Sequence, residues 1–152
     1  MKLEWELLIR RLVRGLNGDI QREFQLADAY LRQARFLPVE QYPVICRQIA
    51  GCAAAALANA TALAAEVLAL GGIPAIPAEE NPHEIPPRTL PRRYRLGPRA
   101  MLTHYRRRLR MAEGLGMLRL CEVFQQIVRT KELHLAHTGF VAGCLAGRHL
   151  WS

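Results

Sequence analysis

The sequence predicts an all-α fold, a four-helix bundle of two antiparallel hairpins joined by a long crossover. Three observations predict it. Apolar residues recur at steps of three and four in four separate segments, which is the spacing of a helix face. No stretch alternates apolar and polar residues as a half-buried strand does. Between the second and third segments, residues 73–98 hold prolines at 74, 77, 82, 86, 87, 91 and 98 and show no period. That connection is too long for an ordinary loop in a small domain. Short turns make antiparallel neighbours, and a single long crossover joins two such pairs.

The first helix is expected over residues 3–36. Leu3, Leu7, Leu12, Leu16, Ile20, Phe24, Ala27 and Leu31 carry its period, and charged residues fill the gaps. Gly15 and Gly18 weaken it without ending it. Pro38 pushes the preceding residue out of the helical region and stops it. Pro43 suits the first turn of a second helix, which runs to Leu70 and leaves through Gly71-Gly72. Its centre, GCAAAALANATALAA, carries no charge. Alanine is weakly apolar, and Arg47 and Glu66 bound the run, so a buried helix in tight contact with its neighbours is expected rather than a membrane span. The third helix is expected from about Arg99 to Glu113, ending at Gly114-Leu-Gly116. A fourth is expected from about Met117 to His137, ending at Gly139. This places the bundle in residues 1–138, with its crossover at about 73–98, and leaves 139–152 as a short glycine-rich apolar tail.

The chain is 51% hydrophobic and 22% charged, enough to build a core. Its formal net charge of +8 favours anionic partners: nucleic acid, a membrane surface or an acidic protein. Arginine supplies most of the excess, in Arg10-Arg11, Arg92-Arg93 and Arg106-Arg107-Arg108 with Arg110. Solvated helix faces and loops are the plainer reading of such runs. Four cysteines, at 46, 52, 121 and 144, form no Cys-x-x-Cys pair and are expected as small buried apolar side chains. The first fifteen residues carry charges throughout and no apolar signal core, so the protein is expected to be cytoplasmic.

The stretch TKELHLAH (residues 130–137) raises the question of a metal site. Helical metal sites often use Glu-x-x-His, because residues three apart share a face. Here the residue three before His134 is Lys131. His134 and His137 form a second pair at that spacing, a weak candidate for a surface metal, and an exposed helix end is the plainer reading. His83, His104 and His149 have no partner at metal spacing. A serine hydrolase triad is excluded, since the only serine is Ser152.

Four stretches together resemble the bacterioferritin family: LNGDIQREFQLADAYLRQAR, ATALAAEVLALGGIP, HYRRRLRMAEGLG and IVRTKELHLAH. The resemblance covers most of residues 10–137 and implies a ferritin-like bundle. Members hold two irons between the four helices. The first and third helices give one glutamate each, and the second and fourth give Glu-x-x-His. Position by position, the resemblance places Glu23 at the first glutamate, with Tyr30 two turns on. It places Ala56 and Asn59 at the second helix's glutamate and histidine. Pro98, seven residues before Tyr105, stands at the third helix's glutamate, and Lys131 and His134 at the last pair. Two ligands of six remain. Lys131 offers no lone pair while protonated, and its charge repels Fe²⁺. The family's haem methionine position is Leu57, so neither a ferroxidase centre nor haem is expected. A buried Glu23–Lys131 ion pair is one expectation for the former site, and Lys131 reaching to solvent beside a hydrated Glu23 is the other.

Three functions follow as expectations. The first is a non-catalytic, structural subunit of an iron-storage assembly, homo- or hetero-oligomeric, with iron entering only through competent ferritin-like partner chains. The second is a scaffold that docks its basic surface and its tail residues Leu150 and Trp151 on an acidic protein complex. The third is nucleic-acid binding through Arg92, Arg93, Arg106, Arg107, Arg108 and Arg110, with no base-reading motif visible.

Overall fold

A computed structural model describes residues 1–77 and 98–149, with side chains described for 1–77 and 99–136. It contains four helices in the order expected: α1 (Lys2–Arg35), α2 (Pro43–Ala69), α3 (Pro98–Gly114) and α4 (Leu118–His149). No strand occurs among the described residues. The protein is all-α. The chain divides into two compact units, one made of Met1–Leu37 with Ile49–Arg95, the other of Pro38–Gln48 with Leu96–Ser152. Most of the crossover and the end of the expected tail lie outside the described residues.

In the first unit, Leu12, Leu16, Ile20 and Ala27 form the buried stripe of α1, and Ala53, Ala56, Ala60, Leu63 and Val67 that of α2. Glu4 near the start of α1 and Arg32 and Arg35 near its end complement the helix dipole. Helix α2 stops at a Schellman motif. Gly71 takes φ 78°, its N–H donates to Leu68 O (3.0 Å), and the Gly72 N–H donates to Val67 O (2.9 Å). Gly72 also has no room for a side chain, since a Cβ there would sit 2.7 Å from Val13 Cγ1. The chain leaving α2 is tied to α1 by side-chain amides. Asn17 Nδ2 donates to Ile73 O (2.9 Å) while its Oδ1 accepts from the Ala75 N–H (2.8 Å), and Gln21 Nε2 donates to Ile76 O (2.7 Å).

In the second unit, α3 and α4 pack on each other. Met101, Leu102, Tyr105 and Ala112 face Leu120, Cys121, Phe124 and Ile127 as its buried residues. The Tyr105 and Phe124 rings lie 6.2 Å apart, tilted by 42°. Burying each such ring contributes about 1.5–3 kcal/mol. The α3 exit repeats that of α2: Gly116 at φ 67°, its N–H on Glu113 O (3.1 Å) and the Met117 N–H on Ala112 O (3.0 Å).

Two expectations are corrected. Helix α4 runs through Gly139 to His149, so no separate tail begins at 139. An interior glycine costs about 1 kcal/mol relative to alanine and does not end a helix by itself. The glycines that do end helices here, Gly71 and Gly116, are left-handed. Helix α2 is not buried all round either. It is long and apolar enough to cross a membrane by length and composition, and 44% of its most apolar window is buried. Alanine loses little by facing water, so composition alone does not force such a face inward.

Candidate functional site

The described residues at the positions where the resemblance expects metal ligands are inward-facing. Relative exposure is 0% for Glu23 on α1, 0% for Ala56 and 5% for Asn59 on α2, and 3% for Lys131 and 7% for His134 on α4. Each three-residue spacing therefore carries both of its members to a buried face, as helix geometry requires. Pro98 opens α3, and its side chain is outside the described residues. Tyr30 is half-buried and Tyr105 is buried. Glu23 belongs to the first unit and Lys131 to the second, and each is described within its own.

The solvent-reaching alternative for Lys131 does not hold. Its ammonium lies 5.9 Å from the centroid of the Tyr105 ring, within cation–π range. Tyr105 in turn stands edge-on to His104, with centroids 5.4 Å apart. A lysine held inside by an aromatic face supplies positive charge and no lone pair. Glu23, fully buried, is not the hydrated side chain of the same alternative.

The interior of the first unit holds two further carboxylates that the sequence pattern did not single out, Asp19 and Glu66. Asp19 accepts from Arg22 Nη1 at 3.2 Å, which partners a charge that burial would otherwise penalise by several kcal/mol. A signal was present in the sequence. Asp19 stands four residues before Glu23 on the face of Leu12 and Leu16, and Glu66 stands three after Leu63. On α2, the buried Asn59 Nδ2 has no hydrogen-bond partner. Such an unmade bond costs about 1–3 kcal/mol.

The donor set does not fit a di-iron centre. Among the described residues no group of three or more His, Cys, Asp or Glu side chains is placed to hold a metal. Alanine at 56 donates nothing, and the lysine at 131 opposes a cation. The chemistry left at these positions is charge and hydrogen bonding.

The arginines lie elsewhere. Arg106, Arg107 and Arg110 are exposed on α3 and Arg108 is half-buried. Arg106 Nη2 donates to Glu132 Oε1 at 3.1 Å, both side chains being half exposed. Arg92, Arg93, Leu150 and Trp151 lie outside the described residues, as does the side chain of His137. Cys52 and Cys121 are buried and Cys46 is half-buried.

No family model matches the chain, and neither the curated proteins nor the solved structures contain a significant match.

Proposed function

We propose that this chain is a non-catalytic, bacterioferritin-like subunit of an iron-storage or iron-handling assembly, a ferritin-like bundle of two antiparallel hairpins that keeps the inward positions of a di-iron centre without its ligands. The observation that supports this most is the burial of Lys131 at the register where the resemblance places a metal-binding glutamate. A surface lysine would be an ordinary drift. A lysine kept inside, on a helix whose next inward residue is His134, reads as a cation standing where a metal stood. Its role is structural: such a subunit fills places in a shell while competent chains carry the iron chemistry.

The test is to purify the tagged chain from its own host and measure native mass, iron content and companion chains. A large iron-bearing particle containing a second, ferroxidase-competent chain supports the reading. A metal-free particle of another composition removes it.

A second reading, binding of a nucleic-acid backbone, is favoured by Arg99, Arg106 and Arg110, which stand seven and four residues apart on the exposed side of α3. It requires a DNA affinity that falls steeply with added salt, and absence of retention on DNA at low salt removes it.

A further inference from the structure

The chain leaving α2 has two features that packing on α1 does not explain. Residues 73–77 read Ile-Pro-Ala-Ile-Pro, an apolar–proline pair that recurs after three residues. Both isoleucines face outward, Ile73 86% and Ile76 73% exposed, although each is large and apolar. The prolines set the conformation. Pro74 and Pro77 fix their own φ, and each pushes the isoleucine before it into the extended region. The backbone over 72–77 is accordingly neither helical nor bent.

In a polyproline II backbone, residues three apart share an edge. Ile73 and Ile76 then form one edge, Pro74 and Pro77 a second, and Ala75 the third. The Ala75 edge is the one turned to α1. Its N–H donates to Asn17 Oδ1 (2.8 Å), while Asn17 Nδ2 and Gln21 Nε2 hold the carbonyls of Ile73 and Ile76 (2.9 and 2.7 Å). The isoleucine edge stays outside, beside the exposed Pro77 and the half-buried Pro74. Two amide side chains thus hold this strap in one conformation before any partner arrives.

We propose that residues 73–77 dock in a polyproline-reading groove, lined with aromatic side chains, on another protein. Backbone chemistry selects this partner. A partner that adds the segment to a sheet edge needs its N–H groups. Pro74 and Pro77 have none, and that of Ala75 is committed to Asn17. A groove of aromatic rings asks instead for apolar–proline pairs three residues apart on an extended backbone. The isoleucine and proline edges supply them, and the clamps from Asn17 and Gln21 lower the ordering cost of binding. Other occupants fit less well. The strap carries no basic residue for an anionic headgroup, and a second copy brings another +8 of like charge. The inference rests on the strap alone and is independent of any iron-storage role.

The experiment titrates the labelled full chain, by fluorescence anisotropy, with a panel of SH3, WW and EVH1 domains. Each domain is paired with a copy in which one groove aromatic residue is replaced by alanine. Wild type is compared with Ile73→Asp, Ile76→Asp and the control Leu133→Asp, an exposed apolar residue on α4, with helicity followed by circular dichroism. The isoleucines are exposed, so their replacement does not endanger the fold. The expected result is saturable binding to at least one domain, lost with its groove variant. Ile73→Asp and Ile76→Asp should each weaken it by about tenfold or more, the fold-change that burial of one such side chain represents. Leu133→Asp should leave it in place. No saturable binding to any domain overturns the proposal, as does binding that survives both isoleucine variants. Self-assembly of the chain, seen by light scattering and dissolved by Ile76→Asp, overturns it too and assigns the edge to a second copy.

Discussion

The two units bury opposite charges. The first holds carboxylates inside, Asp19, Glu23 and Glu66, while the second holds Lys131 and His134. Burial penalises an ion by several kcal/mol unless a partner compensates it, so neither set persists by accident. Asp19 has Arg22, and Lys131 has the face of Tyr105. A di-iron protein would bury carboxylates on both sides, because the metal supplies the positive charge. Here the buried cation, Lys131, belongs to the second unit and lies against Tyr105 of that unit. The difference shows that each unit keeps ionisable side chains inside its own apolar stripe.

The strongest way to break this comparison is Lys131→Ala. Deleting this buried side chain and its contact with the Tyr105 ring costs about 2–5 kcal/mol, which in a chain of this size lowers Tm by about 10 °C. An unchanged melting curve would show that Lys131 contributes nothing inside. Gly72→Ala comes next. It drives a methyl against Val13, whose β-branched side chain has little freedom to yield, at a cost of about 1–3 kcal/mol in denaturant unfolding. Asn17→Ala removes both amide bonds to the chain leaving α2 and is expected to cost about 1–2 kcal/mol. Hydrogen exchange should then rise at the Ala75 amide, and an unchanged rate there would refute the clamp. Smallest is Arg106→Ala. Its pair with Glu132 is half exposed, so stability should stay within about 0.5 kcal/mol. A loss as large as that of Lys131→Ala would erase the contrast between buried and surface charge.

Much of this was legible in the residues. Pro38, Pro43, Gly71 and Gly116 punctuate the helices, and each acts through a backbone constraint that no tertiary contact overrides. The end of α4 was not legible, because Gly139 signals a stop only if it turns left-handed, and conformation is not written in residue type. The outward side of α2 was misread for a related reason: an alanine-rich helix is compatible with burial and with exposure alike. At the candidate site, positions 23, 56, 59, 131 and 134 were singled out by the resemblance, and all five are buried. The burial of Lys131 was not legible, because the same long side chain can reach water from a half-buried backbone. Asp19 and Glu66 were hidden by their type. A carboxylate on an apolar face is easily passed over as a surface residue until its partner is seen.

The most direct measurement is calorimetric titration of Fe²⁺ into the purified chain under anaerobic conditions, followed by admission of oxygen with absorbance monitored. The degenerate-centre account predicts no saturable binding and no oxidation faster than buffer. Saturation near two irons per chain, with rapid oxidation on admitting oxygen, would contradict it.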